Sequence, residues 1–341
     1  MLKPKLTFTL FEDNGHRFYY GKIKNEVKVL AGITTLLSKT VKSEFLDKWK
    51  LENNGNGKLE WSAKYGSGVH WATYLFDTKQ TDTLWDSFIP KLPEFEKEKT
   101  LRELTSWHNF RKKYNLSLLL AEVPLYGNIE GCEYITTLDR IFLCRRQQIT
   151  VTEEPAGEVY QKNGKGYKKG DLKLDKEGKP LTKKVENIEE VREVWIVDLK
   201  SNPFDKDQKE YYDTHLYQLM AQKAAYHQNF KIPSLPTKVR IFNWSATDWR
   251  EDNGDNTFTL TEWRKDDYEK REWNTKNYTQ QDQSLFYHYL QIAMLKGYNK
   301  PEGALREWYR FELGKEGVTN KKMSYQEWAE KKFMSLIWHH H

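Results

Sequence analysis

Cysteine is scarce in this chain: only Cys132 and Cys144 occur in 341 residues. A four-cysteine zinc site or iron–sulfur cluster is therefore excluded, and at most one disulfide could form. Long apolar runs are missing as well. No stretch approaches the about 18 apolar residues of a membrane span, and Met1-Leu2-Lys3-Pro4 opens no signal-type apolar segment. A cytoplasmic protein with no membrane association is expected. Charge of one sign is also in short supply overall, with 55 basic against 49 acidic side chains and a formal net charge of +6. What is abundant is aromatic, at 14% of residues, which argues against disorder in a chain that is otherwise 30% charged. The terminal His339-His340-His341 has the form of a purification-tag remnant and is set aside.

The small charge excess is concentrated. Residues Tyr160 to Lys184 carry nine lysines against Asp171, Asp175 and Glu177, an excess of six that equals that of the whole chain. Such a segment is either a solvated hairpin or an arm that contacts phosphates through counterion release.

Periodicity divides the chain. Alternating apolar and polar residues around Leu6 to Phe11, a turn at Asp13-Asn14-Gly15 and then Phe18-Tyr19-Tyr20 predict a β-hairpin. Helical patterns follow from Ser43, with Phe45, Leu46 and Trp49 on one face, from about Lys58 to Phe76, and from Glu94 to Tyr114. Strands are expected over Leu118–Leu125, Gly131–Cys144 and Glu193–Leu199, then a helix over about Gln208–Asn229 and a strand over Lys238–Trp244. This order implies an α/β fold with a mixed sheet flanked by helices. One elaborated domain is expected, with a core over 1–245, a Lys-rich hairpin insert over about 145–192, and a mostly helical region over 246–341 packed on the core.

The chemistry-bearing residues lie on these elements. Asp198-Leu199-Lys200 ends the apolar run Val194-Trp195-Ile196-Val197, so strand alternation sends Asp198 and Lys200 to one face and Leu199 to the other. Asp139 stands among apolar neighbours in Ile135–Phe142, where an acid is costly unless it binds something. His70 falls one turn after Gly66 on a helix. Taken singly, each also fits a plain structural role: a surface ion pair, a strand-edge acid, a satisfied histidine, and for Glu122 an exposed strand acid. Several near-motifs are turns: Gly55-Asn56-Gly57-Lys58 lacks the Ser/Thr of a phosphate loop, and Asp175-Lys176-Glu177-Gly178 has Lys184 where a calcium loop needs its closing glutamate. Trp244, Trp249, Trp263 and Trp273 could stack on bases, but core packing is the expected use.

Taken in order, Gly66-Ser67-Gly68-Val69-His70, Glu122-Val123-Pro124, Asp139, Asp198-Leu199-Lys200 and a Gln-bearing helix resemble the RecB-like branch of the PD-(D/E)XK nucleases, over about Ile33 to Trp244. The resemblance implies a restriction-endonuclease-like core that hydrolyses DNA phosphodiesters with Mg²⁺ or Mn²⁺ and leaves 5′-phosphate and 3′-hydroxyl ends. It implies metal ligation by His70, Asp139, Asp198 and the Leu199 carbonyl, and a water-orienting or activating role for Lys200. Glu122 takes a supporting role. The glutamine of the following helix is Gln218 or Gln222, which share one stripe, and the sequence leaves the choice open. Linear or single-stranded DNA is the expected substrate, in replication, recombination or repair, with a helicase or recombinase as partner, inside a bacterial or phage-infected cell. No proline precedes Asp139, and 59 residues separate Asp139 from Asp198, so the insert has to loop out. A catalytically inactive DNA-binding module and a sequence-specific endonuclease remain open alternatives on the same residues.

Overall fold

The computed structural model describes residues 8–13, 16–23, 26–41, 58–155, 182–200, 213–246, 258–265 and 274–299. The expected helix from Ser43 lies outside them, as does most of the Lys-rich segment.

The N-terminal hairpin forms as β1 (Phe8–Asp13) and β2 (His16–Ile23), and β3 (Glu26–Ala31) completes a small antiparallel sheet. Helix α1 (Ile33–Thr40) follows directly. Helix α2 (Lys58–Asp77) buries Tyr65, Val69, Ala72 and Leu75. Their three- and four-residue spacing keeps one stripe inward despite Gly66 and Gly68, each of which costs a helix about 1 kcal/mol. Helix α3 (Glu94–Lys113) starts with Glu94 and Glu96 and ends with Arg111, Lys112 and Lys113. Both ends therefore match the helix dipole.

The central sheet has six strands in the order β4 (Leu116–Ile129), β5 (Cys132–Pro155), β6 (Thr182–Leu199), β7 (Val239–Ala246), β8 (Phe258–Lys265) and β9 (Asn274–Tyr278). It is mixed: β6 with β7 and β8 with β9 are parallel, and the other neighbours antiparallel. Helix α4 (Asp213–Asn229) crosses between β6 and β7, as a parallel pair demands. Helix α5 (Gln280–Leu295) opens on a Thr279–Asp282 capping box that satisfies two otherwise orphaned amides.

Apolar clusters cover both faces. Ile141, Val194, Ile196 and Ile241 pack with α1, α4 and α5, whereas Phe142, Trp195, Val197, Phe242 and Trp244 pack with Trp107 and Phe110 of α3. Every residue of β7 is buried, which suits a strand covered on both faces. Its one arginine, Arg240, is neutralised by Glu193 and Glu262.

One expectation changes. The region after residue 245 is not mostly helical where it is described, because β8 and β9 extend the core sheet before α5 begins. The aromatic and threonine content of Phe258–Lys265 favours a strand, and Trp263 is buried in the core rather than offered to a base. The hairpin insert extends the sheet, with β5 and β6 paired from Arg140↔Val197 to Pro155↔Thr182. Cys132 and Cys144 are buried on the same strand and form no disulfide. At about 3.3 Å per residue they lie far beyond disulfide reach.

Among the described residues, no helix is long and apolar enough to cross a membrane.

Candidate metal centre

The site forms where α2 meets the β4–β6 sheet. His70 comes from the middle of α2, Glu122 from β4, Asp139 from β5, and Asp198 and Lys200 from the end of β6. Ligand atoms of His70, Glu122 and Asp139 lie within 4.8 Å of one another. His70 Nδ1 is 3.4 Å from Glu122 Oε1 and 3.8 Å from Asp139 Oδ2.

Glu122 reaches this position through an irregular strand. The pairing of β4 with β5 slips between Leu118 and Leu120, and Glu122 itself has φ of 49°. A left-handed backbone costs a non-glycine residue about 1–2 kcal/mol, and such strain persists only where the surroundings impose it. The sequence predicts a supporting role for Glu122; the structure instead puts its carboxylate in the trio with His70 and Asp139. No strand-pattern signal announces this, because alternation assumes a regular backbone and the φ at Glu122 departs from it.

Asp198 sits beside the trio, not within it. Its Oδ1 accepts from Gln218 Nε2 at 2.9 Å, while its Oδ2 accepts from Asn243 Nδ2 at 2.8 Å and lies 2.6 Å from Lys200 Nζ. Lys200 Nζ also contacts Gln218 Oε1 at 3.4 Å. The predicted same-face placement of Asp198 and Lys200 is present, and Leu199 packs into the opposite apolar cluster. The two groups meet through the backbone: the Leu199 amide donates to Asp139 Oδ2 at 2.8 Å. A strand residue directs its carbonyl to the same side as its amide, so the Leu199 carbonyl leaves β6 on the Asp139 side.

The two glutamines separate cleanly. Gln218 faces the acid and the amine, whereas Gln222 is fully buried and donates to the Thr137 carbonyl at 3.0 Å. Gln222 thus ties α4 to β5.

Two residues escape sequence reasoning. Asn243 pairs with Asp198 in register on β7, and its Oδ1 accepts from Trp263 Nε1 at 2.9 Å, so its amide is fixed to donate to the acid. Arg140 is wholly buried beneath the trio and contacts both α2 and Glu122. The available signal was a polar side chain inside an apolar run: Ile241-Phe242-Asn243-Trp244 and Leu138-Asp139-Arg140-Ile141.

Crowded acids reshape the local proton affinities. Burial pushes the Asp139 carboxyl up to about 7; the negative charges of Asp198 and Glu122 add to the rise, against His70 and Lys200. Burial alone would lower His70, but Asp139 and Glu122 overcome it and hold the imidazole at about 9. Glu122 resists the upward pull of burial and is held below its ordinary range by His70 and Arg140. The chain alone thus balances these acids with a protonated histidine. One imidazole nitrogen with carboxylate oxygens at this spacing fits a divalent ion such as Mg²⁺ or Mn²⁺ and lacks the sulfur donors of a softer site.

No protein-family model matches the chain, and neither does a curated protein or a solved structure.

Proposed function

We propose that the chain is a divalent-metal-dependent deoxyribonuclease with a PD-(D/E)XK core, acting on linear or single-stranded DNA. The observation that carries this reading is the convergence of His70, Glu122 and Asp139 within 4.8 Å, next to the Asp198–Lys200–Gln218 group. The element order around it supports the same fold: helix α2, antiparallel β4–β5–β6, helix α4 and parallel β7.

His70, Glu122 and Asp139 would hold the metal, with Asp198 and the Leu199 carbonyl adjacent to it. When bound, a Mg²⁺ or Mn²⁺ ion supplies charge neutralisation at the scissile phosphate and acidifies a water molecule. The chain's own residues do the rest. Lys200, fixed by Asp198 and Gln218, presents an ammonium that orients the attacking water and offsets charge that grows on the phosphate oxygens. Gln218 and Asn243 keep the Asp198 carboxylate turned toward that amine. Water adds to phosphorus and the 3′-oxygen leaves, giving 5′-phosphate and 3′-hydroxyl ends.

The test is digestion of end-labelled duplex, single-stranded and circular DNA with Mg²⁺ or Mn²⁺, with and without chelator. Metal-dependent shortening of linear or single-stranded DNA is expected. Intact substrates after hours, with DNA binding retained, would replace this reading by an inactive binding module. Discrete fragments from circular plasmid would replace it by a sequence-specific endonuclease.

A further inference from the structure

Arg140 is a buried guanidinium at the junction of the three elements that carry the trio. It has five N–H groups to place. Its Nε donates to Asp77 Oδ2 at 2.6 Å. One terminal nitrogen donates to Glu122 Oε1 at 2.7 Å and to the Asp139 carbonyl at 2.6 Å. The other donates to the His70 carbonyl at 3.1 Å and to Thr73 Oγ1 at 2.7 Å. Every donor is used, and each of the three residues of the trio is touched, two through the backbone and one through its carboxylate.

We propose that Arg140 is the positioning residue of the metal centre: it fixes the spacing of His70, Glu122 and Asp139 and so sets their affinity for the ion. This rests on the metal-site reading above. His70, Thr73 and Asp77 occupy positions i, i+3 and i+7 of α2, so one side chain grips two turns of that helix along a single stripe. The same group binds the Glu122 carboxylate at 2.7 Å, a second hold on it beside the His70 contact at 3.4 Å. Asp77 has a second set of partners, Trp107 Nε1 at 3.0 Å and Arg111 Nη1 at 2.6 Å, so α2 stays anchored to α3 without Arg140. What Arg140 adds is the register of α2 against β4 and β5. A lysine cannot replace it, because three tetrahedral donors do not span the planar fork that reaches five acceptors.

The experiment is titration calorimetry of Mn²⁺ into the full chain and into Arg140→Lys, Glu122→Gln, the double variant and Arg240→Lys, each with a thermal melt. Arg240 is the matched control, a buried arginine in the Glu193–Glu262 ion cluster that touches none of the trio. R140K is expected to weaken Mn²⁺ binding about 10- to 100-fold, the range for outer-shell partners of a metal site. Its effect and that of E122Q are expected to be non-additive, since one acts through the other. R240K is expected to lower the melting temperature and leave Mn²⁺ affinity unchanged. Should R140K fail to fold, Thr73→Val, which removes one acceptor from the fork, is expected to weaken binding several-fold. Wild-type uptake of Mn²⁺ with unchanged affinity in R140K, or in T73V where R140K is unfolded, overturns this proposal alone. A wild-type chain that takes up no Mn²⁺ removes the metal-site reading and this proposal with it.

Discussion

Raising the pH should tighten metal binding steeply, because the ion has to displace protons that the site itself holds. Asp139 and Glu122 overcome the effect of burial and keep His70 protonated up to about 9, while burial and neighbouring charge keep Asp139 protonated up to about 7. Metal ligation needs a neutral imidazole and an ionised carboxylate, so binding near pH 8 releases one proton and binding near pH 6 releases close to two. Affinity should therefore rise about tenfold per pH unit between 7 and 9 and faster below 7. Over pH 6 to 9 the two titrations combine to a gain on the order of 10³ to 10⁴ in the association constant. Calorimetry of Mn²⁺ binding at pH 6, 7, 8 and 9 reads the affinity directly. Repeating pH 8 in two buffers of different ionisation enthalpy counts the protons. A change of less than about tenfold across the whole range, or no proton released at pH 8, would refute the assignment of His70 and Asp139 as ligands in this electrostatic setting.

Other expectations concern stability and turnover. With metal chelated, the protein should melt at a lower temperature at pH 9 than at pH 7: His70 binds its proton more tightly folded than unfolded, and that contribution is lost as pH rises through about 9. Lys200→Ala should cut cleavage by about 10²- to 10⁴-fold while circular dichroism stays native, since Gln218 and Asn243 still satisfy Asp198; full activity would remove Lys200 from the mechanism. Gln218→Ala should lower turnover with little change in melting, whereas Gln222→Ala should do the reverse, at about 1–3 kcal/mol for an orphaned Thr137 carbonyl and a cavity. Asn243→Leu should lower both, because it frees Asp198 and strands the Trp263 indole N–H.

The elements were legible where periodicity was long and the buried face uniform. Helices α2 and α3 and strands β4 and β7 lie close to their predicted spans, because local pattern and tertiary packing agree there. Within the described residues after 245, β8 and β9 are not legible as strands because they are short and depend on sheet neighbours, β7 for β8 and β8 for β9, that sequence pattern does not reveal. In the candidate site, the same-face placement of Asp198 and Lys200 follows from strand alternation, whereas the roles expected of them come from the resemblance. Choosing Gln218 over Gln222 required knowing how α4 is rotated on the sheet: one turn of helix separates a side chain that reaches Asp198 from one that caps a strand carbonyl. The placement of the Glu122 carboxylate beside His70 and Asp139 is not legible in the sequence, because strand alternation assumes a regular backbone, and at Glu122 the backbone is left-handed. Arg140 and Asn243 were overlooked because a buried polar residue acquires meaning only from partners distant in sequence, as with Arg140 and Asp77, 63 residues apart.

Anomalous diffraction from a crystal soaked in Mn²⁺ addresses the shared ion itself. A peak at about 2.1 Å from His70 Nδ1 and from carboxylate oxygens of Glu122 and Asp139 is predicted. An empty position there, or a peak bound only by groups elsewhere in the fold, would contradict the account.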